Sequence, residues 1–590
     1  MPAIPDAVNE LVARFDRNRD DYKSPTYNEA QTRREFIDPL FKALGWDIDN
    51  EQGYAEAYKD VIHEDAIKIG GATKAPDYCF RIGGARKFFL EAKKPAIGIK
   101  DDPEPAFQLR RYAWSAKLPL SILTDFEELA VYDCRIRPHK NDKAGIGRTL
   151  YFTYDQYADH WDEIVGLFGK DAVLKGSFDK YAESTRRKKG TAEVDAEFLK
   201  EIERWRELLA RNFALRNAGL SVRDLNFAVQ RTIDRTIFLR MCEDRGVESY
   251  GQLQALLNGD KVYERLAVLF RRADEKYNSS LFYFTAEKGR EPPDELTLAL
   301  NLDDKVLRDV LGHLYYPDCP YEFSVLPAEI LGHVYEQFLG KVIRLTTGGH
   351  AKVEEKPEVR KAGGVYYTPT YIVDYIVKHT VGELLKDKTP TDIGPDVASS
   401  LRGRRRKGAT SGSSASARRS ARSVRPLRIL DPACGSGSFL LGAYRYLLDW
   451  HRDWYITQMQ GSAGVPPANP FPDCIYQGAG GQWRLTIGEK KRILLNNIYG
   501  VDIDPQAVEV TKLSLLLKVL EGESAESIGS TLRLFHERAL PDLSNNIKCG
   551  NSLIGPDFYE GQQATLFDEE EQFRINAFDW EAEFPQIMGV

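Results

Sequence analysis

The sequence has no long apolar run. Its greasiest stretch, Leu513–Leu520, is interrupted by Ser514 and Lys518. That falls well short of the ~20 apolar residues a membrane-spanning helix needs, so no membrane partner is expected. Cysteine is scarce: seven residues (Cys79, Cys134, Cys242, Cys319, Cys434, Cys474, Cys549) lie scattered through 590, with no C-x-x-C pair. This excludes a disulfide scaffold and a zinc ribbon and fits a reducing, cytoplasmic setting. Residues 1–20 carry charges throughout and have no apolar centre, so they do not read as a signal peptide. A strong charge imbalance is also missing, with 81 Lys+Arg against 88 Asp+Glu and a net of −7. A wholly basic packaging protein is thereby excluded. Nucleic-acid binding stays open, because charge can be sorted by region.

What is present suits a soluble chain of several domains: 42% hydrophobic and 29% charged residues. Residues 1–175 mix helix and strand signals. Thr32 to Glu35 reads as a capping box, followed by Phe36, Ile37, Leu40, Phe41 and Leu44 at helical spacing, with Pro39 kinking that helix and Gly45 ending it. Tyr78–Ile82 and Phe88–Leu90 flank Gly83-Gly84, a hairpin signal, and a second strand pair is expected at Leu120–Leu123 and Leu129–Tyr132. Residues 190–350 read as a helical connector without a chemical motif. Val229, Ile233 and Ile237 recur every four residues, and Leu331, Val334, Phe338 and Leu339 form a second apolar stripe. Residues 402–428 hold ten Arg or Lys and no acid. That composition cannot bury a core and reads as a disordered insertion, either a solvated loop or an arm for phosphates. Gly461–Gly481 is a second irregular stretch, rich in Pro and Gly.

The first residues with chemistry are Asp77 and Glu91-Ala92-Lys93. With a three-residue turn at Gly83, Gly84 and Ala85, Asp77 faces Glu91 across an antiparallel pair. Two like charges facing each other are unfavourable unless a cation neutralises them, and Mg²⁺ favours carboxylates plus waters. Lys93 shares the face of Glu91 by strand alternation, where an ammonium can orient a water or stabilise charge on a phosphate. Gln108 and Tyr112 lie four apart on one helix face, and Glu35 offers a further acid. This ordered set, over residues 25–140, resembles the PD-(D/E)xK nuclease superfamily. The resemblance implies Asp77 and Glu91 as metal ligands and Lys93 as catalytic, with Glu35, Gln108 and Tyr112 assisting. Taken singly, the same residues also read as surface ion pairs.

Near the other end, Arg428-Ile429-Leu430 runs into Asp431-Pro432-Ala433-Cys434-Gly435-Ser436-Gly437-Ser438-Phe439 and then a helical pattern. A strand, a glycine turn and a helix N-terminus form the nucleotide-binding elbow of a doubly wound sheet. The string resembles motif I of N6-adenine DNA methyltransferases. Gly364 to Pro369 looks like their motif X, Val501-Asp502-Ile503-Asp504-Pro505 like motif II, and Cys549-Gly550-Asn551-Ser552-Leu553 like motif III. The resemblance implies an S-adenosylmethionine site built from Thr368, Pro369, Asp431, Pro432, Ala433, Gly435, Gly437, Asp502, Ile503, Asn551 and Ser552. Asp502 would hold the ribose diol and Asn551 the adenine. Asp504 reads as a helix cap, and Cys434 as a packed residue.

The family's [D/N/S]-P-P-[Y/F/W] motif, which holds the flipped base, occurs nowhere in the 590 residues; Asn469-Pro470-Phe471-Pro472 is a poor imitation in the irregular stretch. The order nuclease, connector, methyltransferase (1–175, 190–350, 360–590) resembles the type IIG restriction-modification enzymes. The expected fold is α/β: a nuclease-like domain, a helical connector and an incomplete Rossmann-like methyltransferase domain, cut off before the catalytic strand. The resemblance implies double-stranded DNA as partner, with Mg²⁺ and S-adenosylmethionine as cofactors. The alternative is an inactive cofactor-binding fragment, or a subunit completed by a second polypeptide.

Overall fold

In the computed structural model the chain divides into two compact units: residues 1–200 with 240–258 and 308–327, and residues 201–239 with 259–307 and 328–590. The expected connector is thus shared between the two. The structure describes residues 4–53, 59–63, 68–69, 72–73, 76–82, 85–184, 194–277, 279, 281–287, 292–315, 318–324, 326, 340–346, 348, 350–355, 368–393, 427–460, 469–477, 483–523, 528, 539–559 and 575–588. The Gly83-Gly84 turn, the 331–339 stripe, Gly364–Tyr367, all but the last two residues of the basic segment and much of 461–481 lie outside them.

The first unit is built on a six-stranded sheet: β1 (Val61–Ile62), β2 (Tyr78–Ile82), β3 (Ala85–Ala92), β4 (Leu120–Thr124), β5 (Glu128–Asp133) and β6 (Arg148–Thr153), in that spatial order. Neighbours are antiparallel except β3 and β4, which run parallel and are joined by α1 (Pro103–Ser115). A parallel pair needs such a crossover. Side chains alternate along β3. Phe88, Leu90 and Ala92 enter one core with Phe36, Phe41 and Trp46, while Phe89 enters the other with Leu109, Tyr112 and Leu123. Glu91 shares the parity of Phe89, which turns it toward the α1 side.

Two expectations are corrected in detail. Ala85 belongs to the strand rather than the turn, because it pairs with Ile82. A bulge between Phe80 and Arg81 then restores the pairing Tyr78↔Leu90, whose continuation puts Asp77 level with Glu91. The capping box is four residues earlier than expected: Asn28 Oδ1 accepts from Gln31 N and Gln31 Oε1 from Asn28 N, both at 3.0 Å. Thr32 is instead inside the helix, its hydroxyl donating to the Asn28 carbonyl. Pro39 is accommodated by a π-helical turn over Arg33–Ile37 before the helix resumes at Asp38–Ala43. Proline cannot donate to the carbonyl four residues back; that carbonyl, on Glu35, accepts from the Arg14 guanidinium.

The second unit contains a three-stranded parallel sheet, with β7 (Ile429–Asp431), β8 (Ile498–Asp502) and β9 (Ile547–Cys549) side by side in that order. Four helices accompany it: α2 (Thr370–Leu385), α3 (Ser438–Gln460), α4 (Ile487–Asn497) and α5 (Pro505–Val519). Gly442 of α3 lets Val373 of α2 come close; a Cβ there would lie 2.5 Å from the Val373 side chain. Phe578 and Phe584 bury against Tyr499 and Val501 of β8. Among the described residues no helix is long and apolar enough to cross a membrane.

Candidate active sites

In the first unit Glu91 is the centre. It is 2% exposed, and its Oε1 accepts from Lys93 Nζ at 2.6 Å and from Gln108 Nε2 at 2.7 Å. Its Oε2 is buried with no hydrogen-bond partner. Burial, with Asp77 adding to it, raises the Glu91 carboxyl above the usual carboxylate range. Burial works against the Lys93 charge, yet Glu91 and Glu29 hold its ammonium above the ordinary lysine value. Asp77 Oδ1 accepts from Arg33 at 2.8 Å and Oδ2 from the Ala92 amide at 2.8 Å. Tyr112 is buried one turn beyond Gln108, its phenol pushed up by burial and then by Glu322 and Glu91.

Asp77, Glu91, Lys93, Gln108 and Tyr112 therefore come together as the sequence suggests, and Glu35 does not. Burial, and next the nearby Glu35 carboxylate, raise the Tyr27 phenol. The helix acid at the site is Glu29, with its Oε2 3.8 Å from Lys93 Nζ. With the helix beginning at Glu29, its first turn faces Lys93, and six residues on, at ~100° per residue, Glu35 falls on another face. The Asn28-x-x-Gln31 box was the available signal, overlooked in favour of the one at Thr32. No group of three or more metal-ligating side chains is found among the described residues. A cation here would rest on Asp77 and Glu91, and the unpartnered Glu91 oxygen fits one.

The second site lies at the C-terminal ends of β7–β9. Gly435 and Gly437 take φ +55° and +81°, left-handed values suited to glycine. A Cβ on Gly437 would sit 2.7 Å from Thr511. Asp431 caps the turn by accepting from the Ala433 amide at 3.0 Å. Asp502 joins three segments: Oδ2 accepts from Gly435 N and Oδ1 from Asp504 N, both at 2.8 Å, while its carbonyl accepts from Gly550 N at 2.9 Å. Burial raises its carboxyl. Asp504 caps α5 through Gln506 N, as expected. Thr511, which the sequence did not single out, donates to the Gly435 carbonyl at 2.9 Å.

Asn551 follows β9, and its Oδ1 accepts from Leu553 N at 3.1 Å. Its amide donates to Asn576, and it bridges Ala577 in parallel. Ile503 is 49% and Leu553 92% exposed, two exposed apolar side chains just beyond the strand ends. Ser552 accepts from Trp580 Nε1 at 3.1 Å. Pro432 and Ala433 are exposed on the turn, and Thr368 and Pro369 lead into α2. Burial pushes the Cys434 thiol far up, in keeping with a packed residue.

A small six-stranded sheet with a Glu-x-Lys site, followed by a parallel sheet with a D-P-A-C-G-S-G turn, defines an α/β chain of the nuclease-plus-methyltransferase type. Residues 496–590 match the family of the Eco57I restriction-modification methylase. The chain is 34% identical over 576 residues to the type II restriction enzyme and methyltransferase RM.Eco57I of Escherichia coli, covering 97% of this chain and 51% of that protein. It is 28% identical over 365 residues to the putative type II restriction enzyme and methyltransferase RM.MjaORFECS2P of Methanocaldococcus jannaschii, covering 55% of this chain and 27% of that protein. The chain thus spans about half the length of the first relative and about a quarter of the second. A solved DrdV–DNA complex covers 96% of this chain and 42% of its own at 12% identity, with a TM-score of 0.30, too slight a likeness to argue from. The resemblance read from the sequence is borne out: its relatives are combined restriction enzymes and methyltransferases.

Proposed function

We propose that the chain serves restriction-modification of double-stranded DNA in the cytoplasm, with a nuclease domain (1–175), a connector (190–350) and an S-adenosylmethionine-binding domain (360–590). The observation that carries the nuclease half is the convergence of Lys93 and Gln108 on one oxygen of Glu91 while the other oxygen is buried unpartnered. Asp77 and Glu91 would hold Mg²⁺, which supplies Lewis-acid activation of water and phosphate when bound. Lys93 places a positive charge where a phosphate develops negative charge. Gln108 fixes the Glu91 carboxylate, and Glu29 takes the helix-acid role in place of Glu35. The test is plasmid cleavage with and without Mg²⁺, in wild type and in Asp77→Ala.

The methyl-donor half rests on Asp502 linking the glycine turn to β8 and β9. The turn amides and the N-terminus of α3 would hold the donor's polar groups. Asp502 would accept from the ribose hydroxyls, and Asn551 and Ile503 would hold the adenine. The reaction served is methyl transfer to adenine N6. A second reading is favoured by one observation, the missing [D/N/S]-P-P-[Y/F/W] motif. On that reading the 590 residues bind the donor, and a further polypeptide segment supplies the base-holding motif and target recognition. Labelled methyl transfer to mixed-sequence DNA separates the two readings.

A further inference from the structure

Both oxygens of Asp77 are engaged by the chain itself. Oδ2 is held by a backbone amide that cannot leave without breaking the strand, and Oδ1 is held by the Arg33 side chain at 2.8 Å. A divalent cation shared by Asp77 and Glu91 therefore competes with the Arg33 guanidinium for Oδ1. Arg33 is suited to yield it. Its side chain is 34% exposed against 11% for Asp77, so solvent reaches the guanidinium. It stands at the start of the π-turn Arg33–Ile37, and its guanidinium lies 5.8 Å from the Tyr78 ring centre. That aromatic face can retain a cation once the carboxylate is given up. The carboxylates of Glu29 and Asp38 also act on its charge.

We propose that Arg33 is a displaceable counter-cation: it holds Asp77 in place and neutralises it until a divalent cation takes Oδ1. This rests on the nuclease-site reading above. Arg33 is then a positioning residue that lowers the apparent affinity for metal, because its positive charge and its charge-assisted hydrogen bond compete with the cation for the same oxygen. A merely structural ion pair makes the opposite prediction: losing it would loosen Asp77 and weaken metal binding.

The experiment is calorimetric titration of the full chain with Mg²⁺ and with Mn²⁺, without DNA. It compares wild type, Arg33→Gln, Asp77→Asn and a charge control, Arg34→Gln, at the exposed neighbouring position. Arg33→Gln is expected to bind either cation about three- to tenfold more tightly. Arg34→Gln should match wild type, and Asp77→Asn should bind far more weakly. Thermal melts give a second readout. Arg33→Gln should melt lower than wild type without added metal and gain more from saturating Mg²⁺. Equal or weaker binding by Arg33→Gln, or equal tightening by Arg34→Gln, overturns the proposal while the metal site stands. Absence of metal binding in every variant, or binding indifferent to Asp77→Asn, overturns the metal-site reading and the proposal with it.

Discussion

Individual side chains decide both sites. Asp502 spends both carboxylate oxygens on backbone amides, so replacing it affects the turn as well as any ribose contact. Asp502→Ala is expected to cut S-adenosylmethionine affinity tenfold or more, since hydrogen bonds to a charged group are worth about 1.5–3 kcal/mol. Asp502→Asn, which retains one acceptor, should lose less; calorimetry with both variants checks the order. In the other site Lys93 and Gln108 share Glu91 Oε1, and only Lys93 brings a charge. Lys93→Ala should keep Mg²⁺ binding and lose cutting, whereas Gln108→Ala should retain part of it. Full cleavage by Asp77→Ala would place the site elsewhere.

Elements set where those side chains arrive. The glycine turn before α3 is closed by Thr511, and a methyl group at Gly437 meets that side chain at 2.7 Å from a backbone at φ +81°. Gly437→Ala is expected to destabilise the second unit by roughly 1–3 kcal/mol, seen as a lower melting temperature and weaker donor binding. α4 carries a pH-sensitive brace: Glu489 accepts from Arg492 through two nitrogens at 2.7 Å and from the Tyr455 hydroxyl at 2.8 Å. Burial opposes the charge there, but Arg492 and the other partners prevail and lower the Glu489 carboxyl below its ordinary 4.5. A carboxyl lowered in the fold stabilises above its unfolded pKa and loses that stability as pH falls through the lowered value. Melting temperatures measured downward from pH 5 should therefore fall less steeply in Glu489→Gln than in wild type, from a lower start.

For the whole chain the decisive question is methyl transfer. The adenine amino nitrogen is a poor nucleophile, and transfer needs acceptors for its protons and an aromatic face for the flipped base. No residue after Asn551 offers that pattern, and Pro556–Val590 holds nine acids and one Arg, a poor surface for phosphates. The 590-residue chain alone is expected to bind S-adenosylmethionine yet transfer no labelled methyl to mixed-sequence DNA at a useful rate. Robust transfer would mean that other residues hold the base.

The sequence by itself determined where the two candidate sites lie, because each centres on a short contiguous string: Glu91-x-Lys93 on one strand, and Asp431 to Phe439 at one strand-to-helix turn. Local rules sufficed to place Gln108 and Tyr112 one turn apart on α1, Asp504 as the cap of α5 and Leu120–Leu123 against Leu129–Tyr132. Only the tertiary structure decided which helix acid meets Lys93, because two candidate capping boxes, 28–31 and 32–35, stand side by side in the sequence and only the first forms, with Glu29 facing Lys93. It alone gave Arg33 to Asp77 across 44 residues and Thr511 to Gly435 across 76. No local pattern marks such partners, which are brought together by the packing of elements far apart in the chain. The hairpin shows both levels at once: its register past the bulge came out as the sequence implied, though the turn that sets it is one residue shorter than read, and the bulge supplies the difference.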